Sequence, residues 1–363
     1  MKKVVHVLKD LDVGGIQTVL LDRLRHARQV GKNETLVCIG SGEFREDFIG
    51  VRTTFIKKRW PLIDFLTIWK LRKHLLRNGA EEVHAHHTSE GVAAWLASRG
   101  SNIKYVQYFH VHPDISNRRD NFALRFLARV SDRGISPTLA QRDALEKAGY
   151  ITKNIGVEHN KVDINRLAPA KDDLREKLDL DKNTRIILSI GNFYNATRDQ
   201  VSICKALPDI FQAHPNAHMV FIGGITNRYT PHSESYNTCK HICEQAGIAD
   251  KVHFTGVIPH APGYLNQCDV FVYATLGDTF GMAVIEAMLS GVPVVTNDHP
   301  VMQEVTGGFT LLYPTQNPVA LAELVIRLLE KPESYPKDAV KKWSEQFLWK
   351  SPQESTLCYS YRH

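Results

Sequence analysis

Short apolar segments alternate with longer segments of helical periodicity along the whole chain. In the first half, the apolar segments read VVHVL, TLVCIG, EEVHAHH, YVQYFHV and DRGISP. Apolar runs of this length, separated by helical patterns, are typical of strands in a parallel sheet that helices cover. The pattern therefore predicts an α/β fold.

The strand and helix pattern stops once and then begins again. Residues 159–173, HNKVDINRLAPAKDD, are rich in turn formers, and the segments RIILSIGNF, HMVFIGG, KVHFTGV, DVFVYAT and VPVVTND follow them. A chain of 363 residues, 43% of them hydrophobic, is long enough for two domains with separate cores. We predict α/β domains over residues 1–165 and 166–340, and a C-terminal helical segment, 341–363, with a break near Pro352.

Composition and charge narrow the class of protein. The N-terminal apolar run is short and contains charged residues, unlike a secretory signal, and no window approaches the roughly 20 apolar residues of a membrane-spanning helix. We therefore expect a cytoplasmic protein or one peripheral to a membrane. Six scattered cysteines without paired CxxC motifs indicate reduced thiols. The net charge of +6 is modest, so nucleic acid is not an expected partner.

Basic residues are concentrated in one segment, Lys57–Asn78, which reads KKRWPLIDFLTIWKLRKHLLRN. Its lysines and arginines are interleaved with tryptophan, leucine, isoleucine and phenylalanine. Two interpretations are open. A basic amphipathic helix can dock on the anionic surface of the inner membrane, or it can be an ordinary surface helix that covers a sheet.

The stretch Leu276–Val295, LGDTFGMAVIEAMLSGVPVV, contains the most specific chemical pattern in the sequence. It follows the strand DVFVYAT and predicts a loop and then a helix that ends at Gly291. The first backbone N–H groups of such a helix lack partners and can bind phosphate oxygens, and a glycine there lets a ligand approach closely. These groups belong to Phe280, Gly281, Met282 and Ala283.

Two acidic residues lie on either side of this helix start. Asp278 precedes it and can reach the hydroxyl groups of a sugar. Glu286, about one turn further in, can accept hydrogen bonds from a ribose diol. Since a diphosphate between a ribose and a sugar is a nucleotide-sugar, that ligand is the functional interpretation. In the structural alternative, Asp278 caps the helix and Glu286 is a satisfied buried acid.

The same stretch resembles the donor-site signature of the retaining glycosyltransferases of family 4. In that family an acid, a Phe-Gly step, Glu, Ala, Met, a small residue and Gly-x-Pro-Val-Val occur in this order, as they do here from Asp278 onwards. The resemblance implies the GT-B fold, in which two Rossmann-like domains face a cleft. The N-terminal domain would bind the acceptor and the C-terminal domain the donor. The family usually has Glu at the first acid, where this chain has the shorter Asp278.

Two other loops agree with the resemblance. In LDVGGIQTVLLDRL, Gly14 and Gly15 look like the family's Gly-Gly loop, which approaches the donor phosphate or the acceptor, and Gln17 falls in the first turn of the next helix. HFTGVIPH matches the strand and turn whose backbone meets the nucleobase. The resemblance therefore implies that Gly256 and Val257 contact the base.

A third loop, LSIGNFYNATRDQVSICKAL, is similar to the family's pyrophosphate loop. The family usually places an Arg just after the Gly and a Lys several residues later, both on the donor pyrophosphate. Asn192 occupies the first position here, and Arg198 is expected to take over the second, one residue late. A guanidinium can bind the diphosphate bidentately and stabilise the leaving group. The other interpretation of Arg198 is a solvated residue at a helix start.

Five histidines in EEVHAHHTSEG and YVQYFHVHPD raise the question of a metal site. His86 and His87 are adjacent and point to opposite faces of a strand, and no acidic residue has metal-ligand spacing, so we expect no metal. The resemblance implies instead that His110 lies beside the reacting sugar. A core histidine is the alternative for His110. The resemblance also implies that the C-terminal helices cross back to the first domain.

These features together predict a metal-independent retaining glycosyltransferase that needs no cofactor. It would move a hexose-type sugar from a nucleoside-diphosphate-sugar, with UDP favoured, to a hydroxyl of a bacterial surface glycan such as lipopolysaccharide or capsule. His110, Asp278 and Arg198 are the expected catalytic residues. Two other classes stay open, a sugar-nucleotide epimerase on the same fold and a non-catalytic protein that binds sugar-nucleotides or glycans.

Overall fold

The chain divides into two units near residue 161. The structure is a computed structural model and describes residues 2–11, 14–40, 48–57, 64–113, 118–195, 197–225 and 234–349. One unit ends at Lys161 and resumes at Trp349, and the other comprises Val162–Leu348. The boundary between the two units, after Lys161, therefore lies inside the turn-rich passage 159–173.

The first unit is built on a seven-stranded sheet in which all neighbouring strands are parallel. Its strands are β1 (Lys3–Leu8), β2 (Asn33–Cys38), β3 (Thr53–Phe55), β4 (Glu82–Ala85), β5 (Lys104–Tyr108), β6 (Arg133–Ser136) and β7 (Ile155–Val157). They lie in the order β3-β2-β1-β4-β5-β6-β7. Its helices are α1 (Gly15–Gln29), α2 (Phe65–Arg77), α3 (Thr88–Ser98), α4 (Arg118–Val130) and α5 (Leu139–Lys147).

Helices cover both faces of this sheet. Successive residues of a strand point to opposite faces, so β1 contributes to two separate cores. Val5 and Val7 pack in a cluster with Leu71 and Leu75 of α2, whereas Leu8 packs in a cluster with residues of α1. The near-continuous apolar character of β1 follows from this burial on both sides.

The second unit contains a six-stranded parallel sheet. Its strands are β8 (Arg185–Ile190), β9 (Ala217–Ile222), β10 (Val252–Phe254), β11 (Val270–Tyr273), β12 (Val294–Asn297) and β13 (Leu311–Tyr313), in the order β10-β9-β8-β11-β12-β13. Its helices are α6 (Leu174–Lys177), α7 (Gln200–Ala213), α8 (Glu234–Gln245), α9 (Met282–Ser290), α10 (Pro300–Thr306), α11 (Pro318–Glu330) and α12 (Lys337–Ser344).

The strand order reverses once in each sheet, between β1 and β4 and between β8 and β11. Two parallel sheets with interleaved helices confirm the predicted fold class of two Rossmann-like domains. Ligands of such folds bind beyond the carboxyl ends of the strands at this reversal. The loops after β1, β4, β8 and β11 are therefore where a site is expected.

The end of the described chain belongs to the second unit up to Leu348. Helix α12 is followed by a short 3₁₀ turn, Glu345–Phe347, whose last carbonyl accepts a hydrogen bond from Val162 N across 2.8 Å. The predicted break at Pro352 and the rest of the expected crossing segment, residues 350–363, lie outside the described residues. Within the ranges given above, no helix combines the length and the apolar character that crossing a membrane requires.

Candidate active site

The loop after β8 is joined to the loop after β11. Asp199 N donates to Ala274 O across 3.1 Å, and Leu276 N donates to Thr197 O across 3.0 Å. Because β8 and β11 are the neighbouring strands at the reversal of the second sheet, these bonds bring the residues that follow each strand together. Two predicted site residues meet there.

Those two residues are Arg198 and Asp278, which form an ion pair. Arg198 Nη1 donates to Asp278 Oδ2 across 2.7 Å, and the Tyr273 hydroxyl donates to the same oxygen. The guanidinium carbon lies 4.5 Å from the centroid of the Tyr273 ring, a cation–π distance. Tyr273, the last residue of β11, was not identified in the sequence, where it reads as part of a buried strand.

The ion pair leaves one side of the guanidinium available. Arg198 Nε is buried, and neither it nor Nη2 has a hydrogen-bond acceptor among the residues that the structure describes. Nε–H and Nη2–H form the side of the guanidinium that binds an anion bidentately. Asp278 Oδ1 likewise accepts no hydrogen bond within the described ranges. The pair therefore orients a cation and still offers it to a ligand.

Helix α9 begins at Met282, beside this pair. Gly281 is its N-cap with φ +83°, and no side chain caps the helix. A Cβ on Gly281 would lie 2.6 Å from Met302 Cε and 3.7 Å from Asp278 Oδ2. The N–H groups of Gly281, Met282 and Ala283 have no acceptor in the described part of the chain, while Phe280 is buried. Such a helix start attracts anions.

Glu286 has a charged partner that the sequence did not indicate. Its side chain is buried on α9, and Oε1 accepts a hydrogen bond from Arg166 Nη2 across 2.7 Å. Burial raises the pKa of Glu286, and the Arg166 guanidinium opposes that shift. Arg166 lies in the turn-rich passage between the two strand series, where a lone arginine carries no distinctive signal. Glu286 Oε2 makes no hydrogen bond with the described residues.

Three predicted donor-site residues follow strands β8 and β10 of the second sheet. They are Asn192 after β8, and Gly256 and Val257 after β10. Asn192 Oδ1 accepts a hydrogen bond from Gly224 N across 2.7 Å, and Gly223 N donates to Gly256 O across 2.9 Å. Gly256 has φ +72°, and the Val257 side chain is exposed. Asn192 therefore holds the loop after β9 and is itself bound to protein groups.

In the first unit, the Gly-Gly loop leads directly into α1. Gly14 is the N-cap and Gly15 the first helical residue, with no side-chain cap and no acidic residue in the first turn. Gln17 is buried, and its Nε2 donates to Asp10 Oδ1 across 2.9 Å. Gln17 thus ties the helix to the segment after β1.

His110 follows β5 and is part of a row of histidines. Its Nε2 lies 3.1 Å from His86 Nδ1, and His86 Nε2 lies 3.0 Å from His6 Nδ1. Burial lowers the pKa of His6 to about 4 and that of His110 to about 3. His6 in β1 was not identified as a site residue, although a polar residue inside the apolar run VVHVL was the available signal.

Within the residues searched, no three or more His, Cys, Asp or Glu side chains lie close enough together to hold a metal ion. In the described part of the chain, five cysteines are outside any disulfide bond: Cys38, Cys204, Cys239, Cys243 and Cys268. Cys358 lies outside the described residues.

Two Rossmann-like units with polar side chains at their strand reversals are typical of proteins that bind a ligand at the carboxyl ends of the strands. Comparison with known families then identifies the family. The profile described as Glycosyltransferase Family 4 matches residues 13–166, and that of Glycosyl transferases group 1 matches residues 170–346. The chain belongs to the family 4 glycosyltransferases, an enzyme family that transfers sugars, which confirms the resemblance seen in the sequence.

A solved structure supports the same assignment at the level of the fold. The structure of Anabaena HepE in complex with UDP and glucose has a TM-score of 0.84 to this chain, covers 100% of both chains and is 18% identical. The predicted GT-B fold is therefore confirmed.

Curated relatives include two bacterial glycosyltransferases whose names refer to lipid-linked or lipopolysaccharide glycans. A UDP-Gal:alpha-D-GlcNAc-diphosphoundecaprenol alpha-1,3-galactosyltransferase of Escherichia coli is 24% identical, with 82% of this chain and 79% of that protein covered. The lipopolysaccharide core biosynthesis mannosyltransferase LpsB of Rhizobium meliloti is 26% identical, with 54% of each chain covered. The chain spans about half the length of several curated relatives that it matches, between 51% and 54%.

Proposed function

We propose that the protein transfers a hexose-type sugar from a UDP-sugar to a hydroxyl group of a bacterial surface glycan, with retention of the anomeric configuration. The observation that carries this proposal is the Arg198–Asp278 pair beside the uncapped start of α9. A fixed cation and a row of open N–H groups match a diphosphate, and the adjacent carboxylate matches a neutral polyol.

The donor would lie along the carboxyl ends of the second sheet. Its diphosphate would bind Arg198 Nε and Nη2 and the N–H groups at the start of α9. Glu286 Oε2 would accept from the ribose hydroxyls, while Gly256 and Val257 would meet the base. Binding of UDP and glucose by the structurally similar HepE and the UDP-galactose donor named for the E. coli relative favour uridine as the base.

Sugar transfer would proceed by attack on the face from which the leaving group departs. The acceptor oxygen bonds to the anomeric carbon as the bond to the diphosphate oxygen breaks, and the acceptor proton passes to a phosphate oxygen of the leaving UDP. Arg198 and the α9 N–H groups stabilise the charge that develops there. Asp278 Oδ1 would orient the sugar. His110 keeps the role that the resemblance implies, a hydrogen bond to a sugar hydroxyl. These groups supply the charge stabilisation themselves, so the proposal requires no metal.

The names of two relatives support the proposed class of acceptor. The E. coli enzyme takes a GlcNAc-diphosphoundecaprenol acceptor, and LpsB is named for lipopolysaccharide core biosynthesis. We extend these acceptors to this chain as a lipid-linked or lipopolysaccharide-type glycan at the inner face of the membrane, with capsule as a related target.

A ligand panel without added metal tests the donor. We expect UDP and one UDP-sugar to raise the Tm, because a ligand of the folded state stabilises it by mass action, while GDP-mannose does not. Incubation with the stabilising UDP-sugar and a GlcNAc-diphospholipid should then give a new glycosidic bond, whose anomeric configuration proton NMR reports. Conversion of the UDP-sugar without acceptor would indicate an epimerase, and binding without any turnover would indicate a binding protein.

A further inference from the structure

A row of hydrogen bonds crosses four neighbouring strands of the first sheet and ends at a carboxylate. His110 follows β5, His86 follows β4, His6 is in β1 and Glu34 is in β2. The ring nitrogens are separated by 3.1 Å and 3.0 Å, and His6 Nε2 lies 3.0 Å from Glu34 Oε2. His6 is 0% exposed and His86 5% exposed, so water does not substitute for these partners.

The carboxylate sets the direction of every bond in this row. Ionised Glu34 can only accept, so His6 must carry a proton on Nε2. A neutral His6 then has a lone pair on Nδ1, which requires a proton on His86 Nε2. By the same rule, His86 Nδ1 accepts from His110 Nε2.

Other groups hold the row in this state. Burial raises the pKa of Glu34, but the hydrogen bond from His6 and the charge of Arg23 outweigh it and lower the pKa well below its usual range. Arg23 Nε donates to the same oxygen, Glu34 Oε2, across 3.0 Å. Arg23 also donates to the Tyr108 hydroxyl, and the Tyr108 ring stacks on His86 with 4.5 Å between centroids.

We propose that Glu34 fixes the tautomer of His110 through His6 and His86, so that His110 carries its proton on Nε2 and presents Nδ1 as an acceptor. Glu34 is thus a positioning residue for a histidine two imidazole rings away. The effect on sugar transfer rests on the proposed function, in which His110 orients a sugar by a hydrogen bond. The tautomer itself does not depend on that function.

Two substitutions of Glu34 separate its accepting oxygen from its charge. Glu34→Gln keeps an oxygen that both Arg23 and His6 can donate to, so the direction of the row is preserved. Arg23→Met with Glu34→Met removes the acceptor and the opposite charge together, so neither buried ion of this pair is left uncompensated and the row loses its fixed direction. Glu158, which also accepts from Arg23 across 2.9 Å, is exposed and stays solvated.

The primary measurement is NMR of the full chain with ¹⁵N-labelled histidine, in which two-bond correlations distinguish the tautomers. Signals are assigned by single replacement of His6, His86 and His110 with Asn. We expect the Nε2-protonated form at all three positions in the wild type and in Glu34→Gln, and a mixture in the double variant. A proton on Nδ1 of His110 in the wild type, or unchanged tautomers in the double variant, would overturn the proposal.

Kinetics supply the second measurement. In the double variant we expect kcat to fall about 10- to 100-fold with KM for the UDP-sugar within about twofold, and Glu34→Gln to stay within about threefold of the wild type. Equal loss of kcat in both variants would contradict tautomer control. His218→Asn is the control, since it breaks a 3.0 Å histidine pair in the second unit. Absence of transfer by the wild type would contradict the proposed function alone, since NMR still reads the tautomer.

Discussion

Arg198 Nη1 donates to Asp278 Oδ2 across 2.7 Å. This contact holds together two side chains that were predicted to bind different parts of the donor. The sequence assigned Arg198 to the diphosphate and Asp278 to the sugar. In the structure one carboxylate oxygen holds the guanidinium, and the other is open. In the proposed donor site, Asp278 would therefore act on the diphosphate through Arg198 as well as on the sugar directly.

The first prediction is that these two residues act as a unit. Arg198→Ala and Asp278→Ala should each lower kcat/KM about 100-fold, since each removes the oriented cation from the leaving diphosphate. The double variant should lose much less than the product of the two effects, with a coupling of about 1–3 kcal/mol. Steady-state kinetics of the four proteins measure this coupling.

A matched ion pair at the opposite ends of the same two strands provides the control. Arg185 Nη1 and Asp269 Oδ1 are also 2.7 Å apart, but they lie at the amino ends of β8 and β11. Arg185→Ala should leave kcat/KM within about twofold of the wild type, as expected for an exposed pair. Strictly additive losses for Arg198 and Asp278 would show that the pair has no shared role.

Glu286 offers a test of ribose recognition. Gln at this position can still accept from Arg166 but cannot provide a charged acceptor to a diol, so UDP affinity should fall about 10-fold. A comparison of two ligands gives a sharper test than the affinity for UDP alone. Wild-type protein should bind 2′,3′-dideoxy-UDP more weakly than UDP, and Glu286→Gln should bind both alike in calorimetry. If Glu286→Gln still binds UDP more tightly than 2′,3′-dideoxy-UDP, Glu286 pairs with Arg166 and does not bind the ribose.

Gly281 combines a positive φ with a close neighbour. An alanine there would be strained at φ +83° and would force Met302 to move, which should cost about 1–3 kcal/mol and weaken UDP binding. Gly308→Ala is the control, because Gly308 has φ +75° and open space around its Cβ position. Both variants should lower the Tm, but only Gly281→Ala should change UDP affinity. If Gly281→Ala and Gly308→Ala bind UDP with equal affinity, the start of α9 is not part of the donor site.

The sequence predicted most strands and both Rossmann-like units because their buried strands form short, nearly continuous apolar runs between helical segments. The apolar segments named above do not include β3, β7 and β13, which have three residues each at sheet edges and too little apolar pattern to detect. For the site, local motifs indicated Asp278, Arg198 and Glu286. Their partners Tyr273 and Arg166 depend on contacts distant in sequence, which periodicity does not encode.

The buried histidines make stability depend on pH. Burial lowers the pKa of His6 to about 4, whereas an unfolded histidine titrates near 6.5. Between these values the unfolded chain binds a proton that the folded chain does not, so stability falls as pH falls from about 6.5 to 4, by about 3 kcal/mol from His6. The Tm should therefore drop from pH 7 to pH 5 at constant ionic strength. His6→Asn should give a shallower decline, and parallel curves would contradict this origin.

Helix α2 tests the expected membrane surface. Phe65, Trp69 and Leu76 are 84%, 48% and 51% exposed, while Leu71 and Leu75 pack in the core. The exposed positions recur on one face of the helix, and three cations, Lys70, Lys73 and Arg77, lie among them.

Such a face should bind vesicles that contain anionic phosphatidylglycerol and not those of phosphatidylcholine alone. Each cation near an anionic surface contributes about 1 kcal/mol, so replacing all three by Gln should weaken binding about 100-fold. Trp69→Glu should also weaken it, whereas Val319→Glu, at an exposed apolar position on α11, should not. Cosedimentation measures the binding. Equal binding by all variants would mean that α2 only covers the sheet.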